Sequence, residues 1–355
     1  MKTLYVDTSL TGHHKSYLLS LMSSCETSFV ALPKGKGELE ISPESVLSMD
    51  YKSGSFFYYP KTIVSLNKIA CKIKPDIVHI LTCDAFYRYF GIGFRCIFPN
   101  AKIVVTCHGL RRGFFHDLSY RRIGESCDAL VVHTDSIKKT LEALGVKNVY
   151  HIEYPQFGNS PIVKQEDALS KLGIKNNGKK VFLALGGTRR SKGLDILLEA
   201  LKEVHEPFHM IIAGKEEDFK REYILENIKP YKENVTLLLE FLSDEKFSLC
   251  LDASDFIVLP YRKTFDGASG PLGEGVWHYK MIVGPDHKSL GEIIKSNHLG
   301  KTFKSEDVED LRSTLCEVIK TEGVPDEKYL EYRRSLDPLL FQEKYKKLYT
   351  LVTSK

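Results

Sequence analysis

The sequence predicts an α/β protein of two doubly wound parallel sheets that face each other across a cleft. Three observations carry that expectation. The chain has 355 residues, more than one ordinary hydrophobic core holds and comfortable for two. Short, β-rich apolar runs alternate with amphipathic helical periods from one end to the other, the pattern of parallel sheets covered on both faces. One segment, YPQFGNSPIVKQEDALSKLG, breaks that rhythm with prolines, a glycine and polar residues, which puts a domain boundary between Pro155 and Pro161.

In chain order, the strands expected before the boundary are TLYVD, SFVAL, DIVHILT, KIVVTCHG, ALVVHT and VYHIEYP. Those after it are KVFLALG, FHMIIAG, VTLLLEFL, DFIVLPY and MIVG. DSIKKTLEALG, KGLDILLEALKEV and DEKFSLCLDAS are helical periods between them. The last helix, LLFQEKYKKLYTLV, follows Pro338 with no strand after it, and is expected to pack back on the first domain. The domains are therefore read as residues 1–158 with helix 338–355, and residues 159–337.

Composition narrows the function. A hydrophobic fraction of 43% and a charged fraction of 27% are those of a soluble globular protein. The net charge of +4 suits anionic small molecules or an anionic membrane surface, and is too small for a dedicated nucleic-acid binder. The opening MKTLYVDTSL lacks the apolar core of a signal peptide, and no run is long enough to span a bilayer. Eight scattered cysteines without a C-x-x-C pair read as reduced thiols of a cytoplasmic protein.

Three patterns fail on inspection. HEPFH has the letters of a zinc-protease motif, but Pro207 sits inside the helical turn that His205 and His209 would need to share a metal. GIKNNGKK has P-loop spacing, yet it precedes a strand and lacks the magnesium-binding hydroxyl residue. There is no G-x-G-x-x-G and no D-x-D, so neither a nicotinamide or flavin cofactor nor a metal–diphosphate site is expected.

The loops after strands carry the remaining chemistry. In LALGGTRRSKGLDILLEAL, Arg189, Arg190 and Lys192 lie between a strand and the start of a helix. Cations there oppose the helix dipole unless an anion is bound, and a phosphate is the expected tenant. RKTFDGASGPLGEGVWHYK follows a later strand of the same domain. Its small residues, Ser269 and Gly270, let backbone N–H groups approach a ligand, and Pro271 suits the first helical turn. Asp266 and Glu274 bracket that helix start, where carboxylates grip sugar hydroxyls. In the first domain His108 ends a strand. Gly12 offers a bare N–H in TGHHKSYL, and of the adjacent His13 and His14 at most one faces the cleft.

These residues resemble the retaining nucleotide-sugar glycosyltransferases of family 4, which have the GT-B fold of two Rossmann-like domains. The resemblance is strongest over VFLALGGTRRSKGLDILLEAL, SDFIVLPYRKTFDGASGPLGEG, HKSLGEII and LGKTF, with GHHKSYLLSL and VVTCHG in the first half. It implies that the second domain binds the donor and the first the acceptor. Glu274 would hold the nucleotide ribose, Asp266 the transferred sugar, and Lys192 the donor diphosphate. The family's diphosphate arginine falls on Gly187, so Arg189 or Arg190 would stand in for it. His108 matches the histidine beside the reacting sugar carbon, and Gly12 the glycine loop near the phosphates. Tyr279 stands where the family usually has a glycine.

The implied reaction is a same-face attack, with the leaving phosphate taking the acceptor's proton and cations replacing a metal. The acceptor would be a glycan or a lipid-linked glycan in cell-surface polysaccharide synthesis, met by His13, His14, Arg111 and Arg112. A nucleotide-sugar epimerase or a glycan phosphorylase on the same fold, and a binding protein without turnover, are the rival readings. AFYRYFGIGFRCIF and RRGFFHDLSYRR interleave aromatic and basic residues, as a peripheral contact with anionic lipid on the inner membrane face requires.

Overall fold

The computed structural model describes residues 1–355 except 11, 12, 36–38, 40, 41, 53, 54, 90, 159, 322 and 355, and the side chains of 13, 43, 56 and 84. The chain divides into two compact units, Met1–Phe157 with Asp337–Lys355, and Gly158–Leu336.

The strands of unit 1 among the described residues are β1 (Lys2–Val6), β2 (Thr27–Pro33), β3 (Val46–Met49), β4 (Ile77–Ile80), β5 (Lys102–Cys107), β6 (Ala129–Val132) and β7 (Val149–His151). They form one parallel sheet in the order β3-β2-β1-β4-β5-β6-β7. Unit 2 holds β8 (Lys180–Leu185), β9 (Phe208–Ala213), β10 (Val235–Leu238), β11 (Phe256–Val258), β12 (Met281–Pro285) and β13 (Gly300–Phe303). Their order is β10-β9-β8-β11-β12-β13, again parallel throughout.

Both sheets are buried on both faces, which is why their strands read as continuous apolar runs. Along β1, Leu4 and Val6 enter one core while Tyr5 enters the core on the opposite face. Along β8, Val181, Leu183 and Leu185 face one core and Phe182 the other. The short edge strands β3 and β13 lack such a run, since only Met49 and Phe303 in them are fully buried. Neither is among the strands expected from the apolar pattern.

The helix Pro338–Thr353 belongs to unit 1, where Phe341, Tyr345, Leu348, Tyr349 and Val352 complete one of its cores. A chain of buried hydrogen bonds fastens it there. His133 Nδ1–H donates to the Ile152 carbonyl at 2.8 Å, so its Nε2 accepts from Tyr17 at 3.2 Å. Tyr17 in turn accepts from Tyr345 at 2.7 Å, and Tyr345 from Thr106 at 3.3 Å. Thr106 accepts from His79 Nε2 at 2.8 Å, and His79 Nδ1 from Tyr349 at 2.7 Å. Each hydroxyl and each neutral imidazole has one proton to give. The terminal carbonyl therefore sets the direction of every bond.

Burial keeps those imidazoles neutral. Desolvation pushes His79 down to about 3, with His108 adding a smaller repulsion, and drives His133 well below its ordinary value. In the unfolded chain both titrate near 6.5, so below that pH the unfolded state binds more protons than the folded one. Their contribution is fully present above pH 6.5 and is lost as pH falls toward the folded-state values. Each should cost about 1.4 kcal/mol of stability per pH unit in that window. Melting curves between pH 7 and pH 5 should show this steep fall, and the double variant His79→Gln, His133→Gln, weaker at pH 7, should show a flatter one.

Candidate active site

In unit 2 the strand order reverses between β8 and β11. The connection from β8 runs to β9 on one side, and that from β11 to β12 on the other. A crevice opens outside their carboxyl ends, the place where open α/β sheets take ligands. Gly186, Thr188, Lys192, Pro260 and Tyr261 line a recess there.

One glycine lets the backbone close around it. Gly193 is left-handed (φ +65°) and caps the helix Leu194–Leu201, and a Cβ on it would lie 2.0 Å from the Pro260 carbonyl oxygen. A Cβ on Gly187 would lie 2.1 Å from a carboxylate oxygen of Glu217. That carboxylate pairs with Arg189 at 3.4 Å.

Lys192 is the half-buried cation of the recess. Its ammonium donates to the Tyr261 hydroxyl at 2.9 Å and sits 4.9 Å from the centre of that ring. Tyr261 then reaches Ser269 Oγ at 3.3 Å. Ser269 caps the helix Gly270–Trp277 by accepting from the Leu272 N–H, with Pro271 in the first turn as expected. Lys192 and this positive helix terminus are thus two hydrogen bonds apart, and no carboxylate pairs with Lys192 among the described residues. An ammonium without a paired carboxylate, held beside the positive end of a helix, is a receptor for an anion.

The arginines are placed differently. Arg189 and Arg190 are exposed, and the Arg190 N–H donates to Asp218 at 2.7 Å. Sequence reasoning passed over Arg262, which follows β11. Its Nε–H donates to the Arg190 carbonyl at 3.0 Å and its guanidinium pairs with Asp195 at 2.5 Å. Arg262 therefore clamps the loop after β8 to the loop after β11. The signal was a cation directly behind the strand DFIVLPY.

The acidic pair is split. Glu274, 4% exposed, lies inside the helix Gly270–Trp277. Asp266 is turned toward the start of the helix Lys288–Ser296, where it accepts from Ser289 Oγ at 2.9 Å and lies 3.8 Å from the Lys288 ammonium. Lys288 is left-handed (φ +51°). Tyr279, the residue in a glycine's place, is left-handed too (φ +60°). Its ring and that of Trp277 sandwich the Arg333 guanidinium at 4.0 and 4.3 Å, an interaction that offsets the backbone strain.

Unit 1 carries the other expected residues. His108 Nε2–H donates to the Leu81 carbonyl at 2.9 Å, and desolvation, with repulsion from His14, lowers its pKa to about 4. The His108 ring lies 6.3 Å from that of His14. Gly12 and the His13 side chain lie outside the described residues. Arg111 and Arg112 are exposed, and Arg112 pairs with Asp117 at 3.1 Å.

One expectation is corrected. In AFYRYFGIGFRCIF the aromatics Phe86, Tyr89, Phe94 and Phe98 are buried in the core, and Arg95 is tied to Asp128 at 2.9 Å. Their spacing reflects packing against the sheet, so these four described aromatics present no aromatic interface. RRGFFHDLSYRR does: Phe114 and Phe115 are 78% and 72% exposed. No described helix is long and apolar enough to cross a membrane.

Residues 179–321 match the family described as Glycosyl transferases group 1. An uncharacterized glycosyltransferase of Methanocaldococcus jannaschii is 22% identical over 71% of this chain and 70% of its own. The solved structure of a glycosyltransferase from Rickettsia africae superposes with a TM-score of 0.77 at 18% identity, covering 99% of this chain and 98% of that one. HepE of Anabaena, solved with UDP, gives 0.78 at 14% identity over 99% of this chain and all of its own. The fold is that of the GT-B glycosyltransferases, and the recess around Lys192 lies within the segment that matches the group 1 family, which together support sugar transfer.

Proposed function

We propose that this protein is a retaining, metal-independent glycosyltransferase. It would move a sugar from a nucleoside-diphosphate sugar to a glycan or lipid-linked glycan in cell-surface polysaccharide synthesis. One observation carries the reading: the Lys192 ammonium held by Tyr261 beside the capped start of the helix Gly270–Trp277, an anion receptor at the strand-order reversal. Breaking the sugar–phosphate bond adds negative charge to the diphosphate. Lys192 and the N–H groups at Ser269 and Gly270 are preorganised to meet that charge. The likeness to HepE, solved with UDP and with UDP-glucose, supports a donor of that chemical class.

The remaining roles follow the family resemblance. Glu274 binds the ribose and Asp266 the transferred sugar. Gly187 and Gly12 give backbone room near the phosphates, and Arg189 or Arg190 meets the diphosphate from the rim. His108 lies beside the reacting carbon, while His13, His14, Arg111 and Arg112 serve the acceptor. Lys288 and Ser289 join this set as the groups that orient Asp266.

Lys192→Ala should lower the turnover of a verified donor by at least 100-fold, the scale of losing one preorganised contact to developing charge. Glu274→Ala should mainly weaken UDP binding, read as a smaller thermal shift, and Asp266→Ala should lower turnover more. Wild-type protein should keep full activity in excess EDTA. Activity lost on chelation and restored by magnesium or manganese would remove the charge-neutralising role from Lys192. UDP-glucose bound without any turnover would leave a binding protein.

The helix Phe114–Ser126 supports peripheral attachment to the inner membrane face. Its exposed side carries Phe114, Phe115 and Leu118 toward one end and Arg121 and Arg122 toward the other, with Arg111 just before it. Arg122 is paired with Glu125, whereas Arg111 and Arg121 have no acidic partner among the described residues. Vesicles containing phosphatidylglycerol should sediment the protein at low salt and release it at high salt. The double variant Phe114→Ser, Phe115→Ser should bind them at least tenfold more weakly. No binding at low salt would leave a soluble acceptor.

A further inference from the structure

The parts assigned so far use the Lys192 ammonium and backbone N–H groups, and leave the two hydroxyls between them without a role. Both belong to buried residues, Tyr261 being 2% and Ser269 8% exposed. A buried hydroxyl has one proton to give and lone pairs to fill, so its bonds can be counted. The Lys192 ammonium can only donate, and it donates to the Tyr261 oxygen at 2.9 Å. The Tyr261 and Ser269 hydroxyl oxygens, 3.3 Å apart, share one hydrogen bond. Ser269 Oγ also accepts from the Leu272 N–H at 3.4 Å.

Two hydroxyls joined by one bond have one proton left over, whichever of them donates. The Tyr261 oxygen already faces an ammonium, so its proton goes to Ser269 and the surplus proton is the one on Ser269 Oγ. No acceptor takes that proton among the described residues. The ammonium has two further N–H bonds in the same condition. These spare donors converge on the start of the helix Gly270–Trp277, where the backbone N–H groups are also unspent.

Tyr261 is a fixed post for this arrangement. Its carbonyl accepts from Ser305 Oγ at 3.3 Å, and its ring packs edge-on against Phe265 at 4.8 Å. The N–H of the next residue, Arg262, donates to the Ser191 carbonyl at 3.0 Å. That bond ties the residue before Lys192 to the residue after Tyr261, so the lysine stem starts from a set place. The stem ends against Gly186, where φ is +113° and a Cβ would stand 2.7 Å from Nζ. The ammonium is thus seated between the Gly186 backbone and the Tyr261 hydroxyl. Fixing a lysine side chain costs rotamer entropy, and this seat imposes that loss before any ligand arrives.

We infer that Tyr261 positions the Lys192 ammonium for the donor diphosphate and that the Ser269 hydroxyl is a further donor to the same group. This rests on the transfer reading above for the identity of the ligand, and deepens it. The leaving phosphate remains the group that takes the acceptor's proton. Tyr261 is a positioning residue, since it acts through Lys192, whereas Ser269 meets the phosphate oxygens itself. All the residues involved belong to unit 2.

Two measurements on the whole protein test these roles, and neither needs turnover. Inorganic pyrophosphate is the probe, because it carries the charge without a sugar or a base. Nitrogen-15 NMR of the lysine ammonium groups should show a Lys192 signal, assigned by its absence from Lys192→Met, that shifts when pyrophosphate is added. Tyr261→Phe keeps the ring and removes the hydroxyl. It should erase that signal and weaken pyrophosphate about tenfold, the scale of one hydrogen bond to a charged group. In the second measurement pyrophosphate is titrated into two variants of the helix cap. Glycine caps a helix nearly as well as serine, yet Ser269→Gly should bind about tenfold more weakly, with Ser269→Thr restored to within about threefold of wild type. A Lys192 signal that is missing in the wild type, unmoved by pyrophosphate or unchanged in Tyr261→Phe overturns the positioning role. Ser269→Gly with wild-type affinity, or Ser269→Thr as weak as Ser269→Gly, overturns the hydroxyl donor. The expected signals and affinities without turnover of UDP-glucose by the wild type would count against sugar transfer from that donor and leave both hydroxyl roles standing.

Discussion

The arrangement of unit 2 depends on a single close approach, the passage of residue 193 against the Pro260 carbonyl. No side chain fits there, because a Cβ would stand 2.0 Å from the oxygen. The approach brings the loop after β8 against the loop after β11, and Arg262 locks the two through Arg190 and Asp195. With the loops at that spacing the Lys192 ammonium meets Tyr261, and Tyr261 meets the cap of the next helix. A wider gap would leave the same residues as separate solvated charges. The anion receptor is therefore a property of backbone contact first and of charge second.

Unit 1 works by a different rule. It gathers imidazoles and hydroxyls where charge is excluded, and each sealed imidazole is held neutral by burial. The hydrogen bonds that tie His79 and Thr106 to the helix Pro338–Thr353 run toward the Ile152 carbonyl, so a charge entering this relay would have to reverse part of it. His14 lies outside that sealed set, its Nδ1 3.2 Å from the Asp7 carboxylate. The two units thus divide the polar work, cations and helix N–H groups in one and neutral acceptors in the other.

Much of this was legible in the sequence, for local reasons. Strands buried on both faces announce themselves as apolar runs, and Ser269 with Pro271 reads as a helix start because capping is a four-residue affair. Lys192 stood out since a cation at a helix start is anomalous without an anion. What stayed hidden depends on distance along the chain. Tyr17 meets Tyr345 across 328 positions and His79 meets Tyr349 across 270, and nothing near either residue signals the partner. Asp266 was read as facing its own helix, whereas Lys288 and Ser289 draw it to the next one. The aromatics of AFYRYFGIGFRCIF misled for the opposite reason. Their spacing is equally that of a packed face, and among the described aromatics of the two stretches only Phe114 and Phe115 prove exposed.

The return of the last helix to unit 1 bears on how the protein is made. The ribosome delivers β1 to β7 first, yet Tyr345 and Tyr349 emerge only after the whole of unit 2. At roughly 5–20 residues per second, the nascent first domain waits for on the order of ten seconds or more with one apolar face uncovered. During that interval His79, Thr106 and Tyr17 lack their final partners, and the exposed strip is what a chaperone would encounter. The earliest domain to be synthesised is the last to be finished.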